Sequence, residues 1–311
     1  MRLNPIVKKD IRVQSRSMKI CWGVFSYELI LALVFFLAMS MIQQQSRYSD
    51  SNIFASMVWL YPVLAVTQLV ILGVVVPVRT ASAISGEKER QTFDIMMTTS
   101  MTPFSVIIGK VMTAIVQSMF YVVASMPVMA LPFIIGGMPW SALFWFLAIA
   151  FLVSLFSASI GILCSSLCRK TISAVILSYA FYLVFFVATV LPVIIFGIFY
   201  MDTAYNSTSA YSYAENIFLF LLLNPAVYLS EFFARIMTGD SLVNSIATVG
   251  RMQQVRGPIR LVTDGYGWLI VSTILLSAVT FLFLWLAARR IDPIRKRGKK
   301  HGRKKVSDRT D

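Results

Sequence analysis

Of the side chains that most often bind transition metals, the 311 residues offer one histidine, His301, and three cysteines, Cys21, Cys164 and Cys168. A lone histidine excludes histidine-rich metal centres. Cys164 and Cys168 stand one helical turn apart, but no third or fourth ligand lies near them in the sequence, and structural zinc sites want four. All three cysteines fall close to expected helix ends on the cytoplasmic side, so they read as small hydrophobes rather than disulfide partners. No GxxxxGK[ST] loop is present: Gly109-Lys110 follows apolar residues and precedes Val111, without the glycines that cradle a phosphate. HExxH and GxSxG are also missing. With no catalytic constellation, the chain is expected neither to be an enzyme nor to hydrolyse ATP itself. Metal sites and cofactors of its own are not expected.

Charge is scarce too. Only 14% of residues are Asp, Glu, Lys or Arg, while 58% are hydrophobic, a balance no soluble domain of this length tolerates. The expected class is therefore an all-α polytopic membrane protein. Its net charge of +14 gathers at the two ends and beside helix termini, which suits membrane orientation better than nucleic acid. No nucleic-acid partner is expected.

In chain order, residues 1–19 place Ile6, Val7, Ile11 and Val13 among Lys8, Lys9, Arg12 and Arg16, the pattern of a basic amphipathic helix lying on the membrane surface. This start runs into a full-length apolar span without a small-residue cleavage site, so no cleavable signal peptide is expected. Span one covers 20–42 and carries Glu28, a carboxylate costly inside a bilayer. Two readings stand: an intramembrane functional site, or a carboxylate near the interface paired with a basic residue of a neighbouring helix. Span two is expected at 54–78, with Pro62 and Pro77 as kinks or ends. Span three covers 104–135, broken by Pro127 and Pro132. Span four, 140–167, carries Ser154, Ser157, Ala158, Gly161 and Ser165 at helical spacing, a small-residue packing face on which Ser157, Gly161 and Ser165 let another helix approach closely. Span five covers 172–200 and span six 268–288. Between them, residues 201–266 are too polar for a crossing, and the apolar stretch that ends in LNPAVYL is too short for one. It reads as re-entrant or outer helices broken at Asn224-Pro225. A single membrane domain, 1–290, then gives way to a basic tail, 291–311, suited to anionic lipids.

Five of the 28 Lys and Arg fall in loops expected outside: Arg47, Arg235, Arg251, Arg256 and Arg260. The remainder mark the inner side, and six spans then place both termini in the cytoplasm of a cell (inner) membrane protein.

The distinctive interior stretch is 79–110, RTASAISGEKERQTFDIMMTTSMTPFSVIIGK, where charge clusters between apolar runs. From Glu87 it reads as a short amphipathic helix, with Phe93, Met96, Met97 and Met101 on one face and the pair Arg90 and Asp94 on the other. Thr102-Pro103 reads as the capped start of span three. Such a helix suits two settings: a groove on a partner protein, where methionines repack readily, or lipid headgroups.

ISGEKERQTFDIMMTTSMTPFSVIIGK resembles the signature of six-span permease subunits of ABC exporters with an ABC-G-like fold. There, (A/S)-x-x-G-E-(K/R)-E-R-x-T precedes a short helix, a T/S-Pro start and a Gly-Lys. NPIVKKDIR is similar to the connecting helix that opens such subunits, and LNPAVYL to their Asn-Pro segment. Lys88 and Gln91 depart from the arginine and glycine common at those places. The resemblance implies a cytoplasmic coupling helix within 79–103 that sits on a separate ATPase, with Glu87, Glu89, Arg90, Thr92 and Phe93 in that role and Met96 and Met97 beside them. It also implies a second permease subunit, identical or sister, ATP and Mg held by the partner ATPase, and alternating-access export of an amphipathic, lipid-like, drug or peptide cargo. A secondary transporter, or a non-transporting partner of an ATPase, remains open on the residues alone.

Overall fold

The computed structural model describes residues 18–48, 57–93, 102–136, 138–204, 219–239, 241–242 and 265–291. The expected surface helix before residue 18, Met96, Met97, Asp94 and Met101, most of 201–266 and the tail beyond 291 lie outside the described residues. Those that are described fold as helices without a strand: α1 (Met18–Tyr48), α2 (Leu60–Glu89), α3 (Pro103–Ala124), α4 (Met126–Gly136), α5 (Ser141–Leu167), α6 (Thr171–Ala204), a 3-10 turn (Leu219–Leu223), α7 (Pro225–Thr238) and α8 (Gly267–Ile291). Six of them, α1, α2, α3, α5, α6 and α8, are long and apolar enough to cross a membrane.

Helix α2 is longer than the sequence suggests. Pro77, expected near its end, lies inside it, and the helix continues to Glu89. A proline removes one hydrogen-bond donor but does not forbid a membrane helix whose freed carbonyls find other donors. The carbonyl that loses its donor is that of Gly73, four residues earlier; around the proline Thr80 Oγ1 donates to the carbonyls of Val76 (2.9 Å) and Pro77 (3.3 Å), and Tyr179 Oη on α6 to that of Val74 (2.7 Å), bonds that add to the helical ladder. Pro62 falls in the first turn, where its missing N–H has no intrahelical partner to lose. Span three does break, but only once. Ser125 interrupts it two residues before Pro127, and Pro132 is carried within α4. Ser125 Oγ donates back to Val122 O (2.9 Å), while its carbonyl accepts from Met129 N (2.9 Å) and starts the next helix. Asn224 caps α7, accepting from Ala226 N (2.9 Å) with Pro225 in the first helical position, and Gly239, at φ +78°, ends it.

The bundle is assembled around α5. This helix touches α2, α3, α6 and α8, and from Phe156 to Ser166 every residue except the marginal Leu163 is nearly shut off from the surroundings. α1 packs on α2 and α3 and leaves Trp22, Phe25, Phe36 and Met41 facing outward. Closest approach is between α5 and α2. A Cβ placed on Gly161 would lie 1.9 Å from Thr80 Oγ1 and 3.1 Å from the Pro77 carbonyl, so only glycine fits. Four residues on, Ser165 Oγ accepts from the backbone N–H groups of Ile84 (3.0 Å) and Ser85 (2.8 Å). Ser157, one turn before Gly161, donates to Val153 O (2.7 Å) and meets the Tyr182 hydroxyl on α6. The small residues thus join α5 to two neighbours, as close packing without a hydrophobic driving force requires.

Gly161→Ala is expected to lower thermal stability in detergent by the equivalent of about 1–3 kcal/mol, the usual cost of overpacking. Ser154→Ala, which removes a buried hydroxyl lacking a hydrogen-bond partner among the described residues, is expected to be neutral or slightly stabilising.

Candidate functional site

The last turn of α2, Gly86-Glu87-Lys88-Glu89, carries three consecutive charged side chains, and each reaches a different helix. Glu87 Oε1 pairs with Lys110 Nζ of α3 at 2.7 Å, with both side chains largely buried (25% and 13% exposed). Lys88 Nζ donates to the carbonyls of Ser166 (2.6 Å), Cys168 (3.2 Å) and Ser165 (3.3 Å), where α5 ends. Glu89 Oε2 accepts from Thr171 Oγ1 (2.8 Å) and Thr171 N (3.2 Å), where α6 begins. The signs follow the helix dipoles: a cation meets carbonyls at a C-terminus and a carboxylate meets the N–H groups at an N-terminus. An ammonium has three donors and no acceptor, so three converging carbonyls suit it.

The chain then turns sharply. Arg90 N donates to Gly86 O (3.1 Å), Gln91 N to Lys88 O (3.2 Å) and Thr92 N to Glu87 O (3.0 Å). Gln91 takes φ +59°, the left-handed conformation that closes a helix in this 6→1, 5→2 pattern. Glycine adopts it without steric cost, which accounts for the glycine expected at this place. Arg90, Gln91 and Thr92 are exposed, and Thr92 Oγ1 also donates to Glu87 O (3.3 Å). Phe93, half-buried, packs against the core with its ring 5.8 Å below the Lys88 ammonium. Thr102 Oγ1 accepts from Ser105 N (3.3 Å) and opens α3 with Pro103 in its first turn.

The amphipathic helix read from Glu87 onward is therefore corrected. Glu87 and Glu89 belong to the end of α2, and a left-handed turn at Gln91 separates them from Phe93, because three ties to neighbouring helices hold the last turn in place. Phe93 is the first residue after the turn; Met96 and Met97 lie outside the described residues. Of the residues singled out from sequence, Glu87, Glu89, Arg90, Thr92 and Phe93 come together here, with Ser165 of the packing face directly alongside. Ser157 and Gly161 lie further along α5, and Glu28 is elsewhere, on α1. The basic partner considered for Glu28 is not found among the described residues: its Oε1 is buried without a hydrogen bond, and no Lys, Arg or His nitrogen lies within 4.0 Å.

Sequence reasoning passed over Lys88, which reads as a mere substitution for arginine, and Lys110, weighed only as part of a phosphate loop. The cationic character shared by arginine and lysine at position 88 was the available signal. Glu231 on α7 was missed as well. It is fully buried, 2.8 Å from Arg235 Nε, and accepts from Leu242 N (2.8 Å) and Ser241 Oγ (3.2 Å), while Asn224 Nδ2 donates to Thr189 Oγ1 (2.9 Å) and pins α7 to α6. The described residues bring together no group of three His, Cys, Asp or Glu side chains suited to a metal.

The family model for ABC-2 family transporter proteins matches residues 39–289, and six apolar helices accompany it. The chain belongs to that family. No curated protein matches it. It is thus an ABC-2 type permease, a multi-pass membrane component of a transporter, and membership in the family implies partnership with an ABC ATPase. In this ABC-2 permease the three-way tie joins the end of α2 to three other helices. What it can do is mechanical: it holds the exposed turn rigidly to α3, α5 and α6 at once.

Gln91→Gly is expected to raise the melting temperature of the purified protein, since a non-glycine residue in the left-handed region costs on the order of 1 kcal/mol. Gln91→Val, with a β-branched side chain at the same φ, is expected to lower it.

Proposed function

We propose that the chain is the membrane-spanning subunit of an ATP-driven exporter, working by alternating access, in which a separate ATPase docks on the segment following Thr92. The observation that carries this reading is the triple attachment of Glu87, Lys88 and Glu89. A push delivered at an isolated loop dissipates in that loop. A push on Phe93 is passed through a backbone whose last helical turn is bonded to three other spans, so those spans shift together. Arg90 and Thr92, exposed at the tip, are the groups available to a partner.

Residue chemistry supports the remaining parts. ATP and Mg are bound by the partner, since this chain has no phosphate loop. Lys88, Lys110, Arg169, Lys170, Arg289 and Arg290 all stand at the same end of the bundle, so that end faces the cytoplasm of the cell (inner) membrane, and both termini with it. The basic residues past Ile291 then lie near anionic lipids. A second permease subunit, the same chain or a sister, completes the transport path, and the outward apolar faces of α1 and α6 give it surface to cover. An apolar, aromatic interior suits an amphipathic cargo.

The test is affinity purification from native membranes in mild detergent with the wild type, Phe93→Asp and Lys88→Met. The wild type is expected to bring down a stoichiometric ATPase. Phe93→Asp is expected to lose it while the permease stays folded. Lys88→Met is expected to keep the ATPase bound but to lower transport per ATP by roughly tenfold, in line with the loss of charge-assisted hydrogen bonds of about 1.5–3 kcal/mol. Wild-type protein that co-purifies with no ATPase, or Phe93→Asp that retains it with normal activity, contradicts the docking role.

A further inference from the structure

Only Cys168, Arg169 and Lys170 join α5 to α6. The backbone of this short turn is fixed at both ends. The Cys168 carbonyl accepts from Lys88 Nζ (3.2 Å), the Lys170 carbonyl accepts from Ala174 N (3.1 Å), and Thr171 gives its N–H and its hydroxyl to Glu89. On that fixed backbone the side chains of Arg169 and Lys170 are exposed, as is Arg90 at the neighbouring end of α2. Lys170 and Arg90 both lie close to Glu89, whose carboxylate is already taken by Thr171. Three cations thus share a small surface with one carboxylate, and among the described residues none of the three forms an ion pair within 4.0 Å. Glu87 and Lys110, beside them, neutralise each other.

Cations at the inner end of a membrane helix ordinarily set orientation and meet lipid head groups. Arg289 has that arrangement: at the end of α8 its guanidinium carbon lies 3.5 Å from the Trp285 ring centre, a cation held on an interfacial aromatic. Arg169 and Lys170 are placed differently. They follow α5, the helix most completely enclosed by its neighbours, so they stand over the middle of the bundle rather than at its lipid-facing rim. Among the described residues neither stacks on an aromatic ring. Their turn also adjoins the residue on which the ATPase pushes. The Phe93 ring centre and the Cys168 carbonyl lie 5.8 Å and 3.2 Å from one and the same ammonium, that of Lys88.

We infer that the α5–α6 turn is a second docking point for the ATPase, whose facing surface carries Asp or Glu side chains that meet Arg169, Lys170 and Arg90. The inference rests on the docking of an ATPase after Thr92 and adds the chemistry of the partner's surface. Charge complementarity of this kind acts mainly on the rate of encounter and on the choice of partner. The basic patch therefore selects an acidic ATPase surface and orients it before Phe93 engages. Because the backbone of the turn is already fixed by Lys88 and Glu89, little ordering of the main chain opposes the contact. The partner then holds the tie from two sides, at Phe93 beyond the end of α2 and at the turn that Lys88 and Glu89 grip.

The test is retention of the ATPase by the tagged full-length chain, purified as the complex from native membranes and placed in nanodiscs of phosphatidylcholine alone. At roughly 0.15 M salt, R169E/K170E is expected to weaken retention by roughly tenfold or more, and rising salt to weaken it in the wild type. R169K/K170R keeps both charges and is expected to behave as wild type, which separates charge from misfolding. R289Q/R290Q, at the same end of the bundle, is also expected to behave as wild type. Carbodiimide, which couples an amine to a carboxylate without a spacer, is expected to join Lys170 to an Asp or Glu of the ATPase. Unchanged retention by R169E/K170E, or coupling of Lys170 to no residue of the ATPase, overturns the second docking point. So does an effect of R169E/K170E that appears only in nanodiscs containing phosphatidylglycerol, which would assign the patch to anionic lipid. If Phe93→Asp releases the ATPase while R169E/K170E keeps it, this inference fails alone; a wild type that retains no ATPase overturns the docking reading together with it.

Discussion

The contact on which the rest of this structure depends is the Lys88 ammonium at the carbonyls that end α5. A helix C-terminus leaves up to four carbonyls without intrahelical donors, and inside a bilayer or at its edge those groups cannot simply be left to solvent. One side chain from α2 supplies three donors at 2.6–3.3 Å. Because its neighbours Glu87 and Glu89 engage α3 and α6, a single helical turn becomes the common end point of four spans. Everything proposed about force transmission starts from that arrangement.

Lys88 can reach its carbonyls only because α2 and α5 lie almost in contact. The Gly161 notch against Thr80 and Pro77 sets that approach, and the hydroxyl of Ser165, taking two backbone N–H groups of α2, fixes the register one turn before the charged end. Pro77 belongs to the same device. Its own carbonyl and that of Val76 accept from Thr80 Oγ1, and the helix continues past it to deliver Glu87, Lys88 and Glu89 to the junction. Packing chemistry in the middle of the bundle therefore determines electrostatics at its end.

Much of this was legible in the sequence. The six crossings followed from apolar length, the Thr102-Pro103 and Asn224-Pro225 caps from their residue pairs, and the small face of α5 from the spacing of Ser157, Gly161 and Ser165. Errors arose where tertiary contacts decide. Pro77 reads as a helix end because proline lacks a donor, and no one-dimensional pattern shows that packing against α5 carries α2 through it. Likewise Glu87 and Glu89 read as part of an amphipathic helix with Phe93, since periodicity cannot reveal that Gln91 adopts a left-handed turn between them. Arg79 looked like the first residue of a cytoplasmic segment, and only the length of α2 places it deep in the helix, near Gln117 and Tyr121. Charge on a sequence does not say at what depth it lies.

The ABC-2 permease thus divides into a block, α2, α3, α5 and α6 joined at one end, and α1, which among the described residues has no share in that junction. The most direct test is pulsed electron–electron double resonance on the native complex, with spin labels at exposed positions: Arg90 with Ile172 inside the block, and Arg90 with Trp22 across its boundary. On adding ATP and trapping the hydrolysis-competent state, the Arg90–Ile172 distance is predicted to stay constant while the Arg90–Trp22 distance changes. A change in the Arg90–Ile172 distance as large as that across the boundary would contradict the claim that the end of α2 carries these spans as a unit.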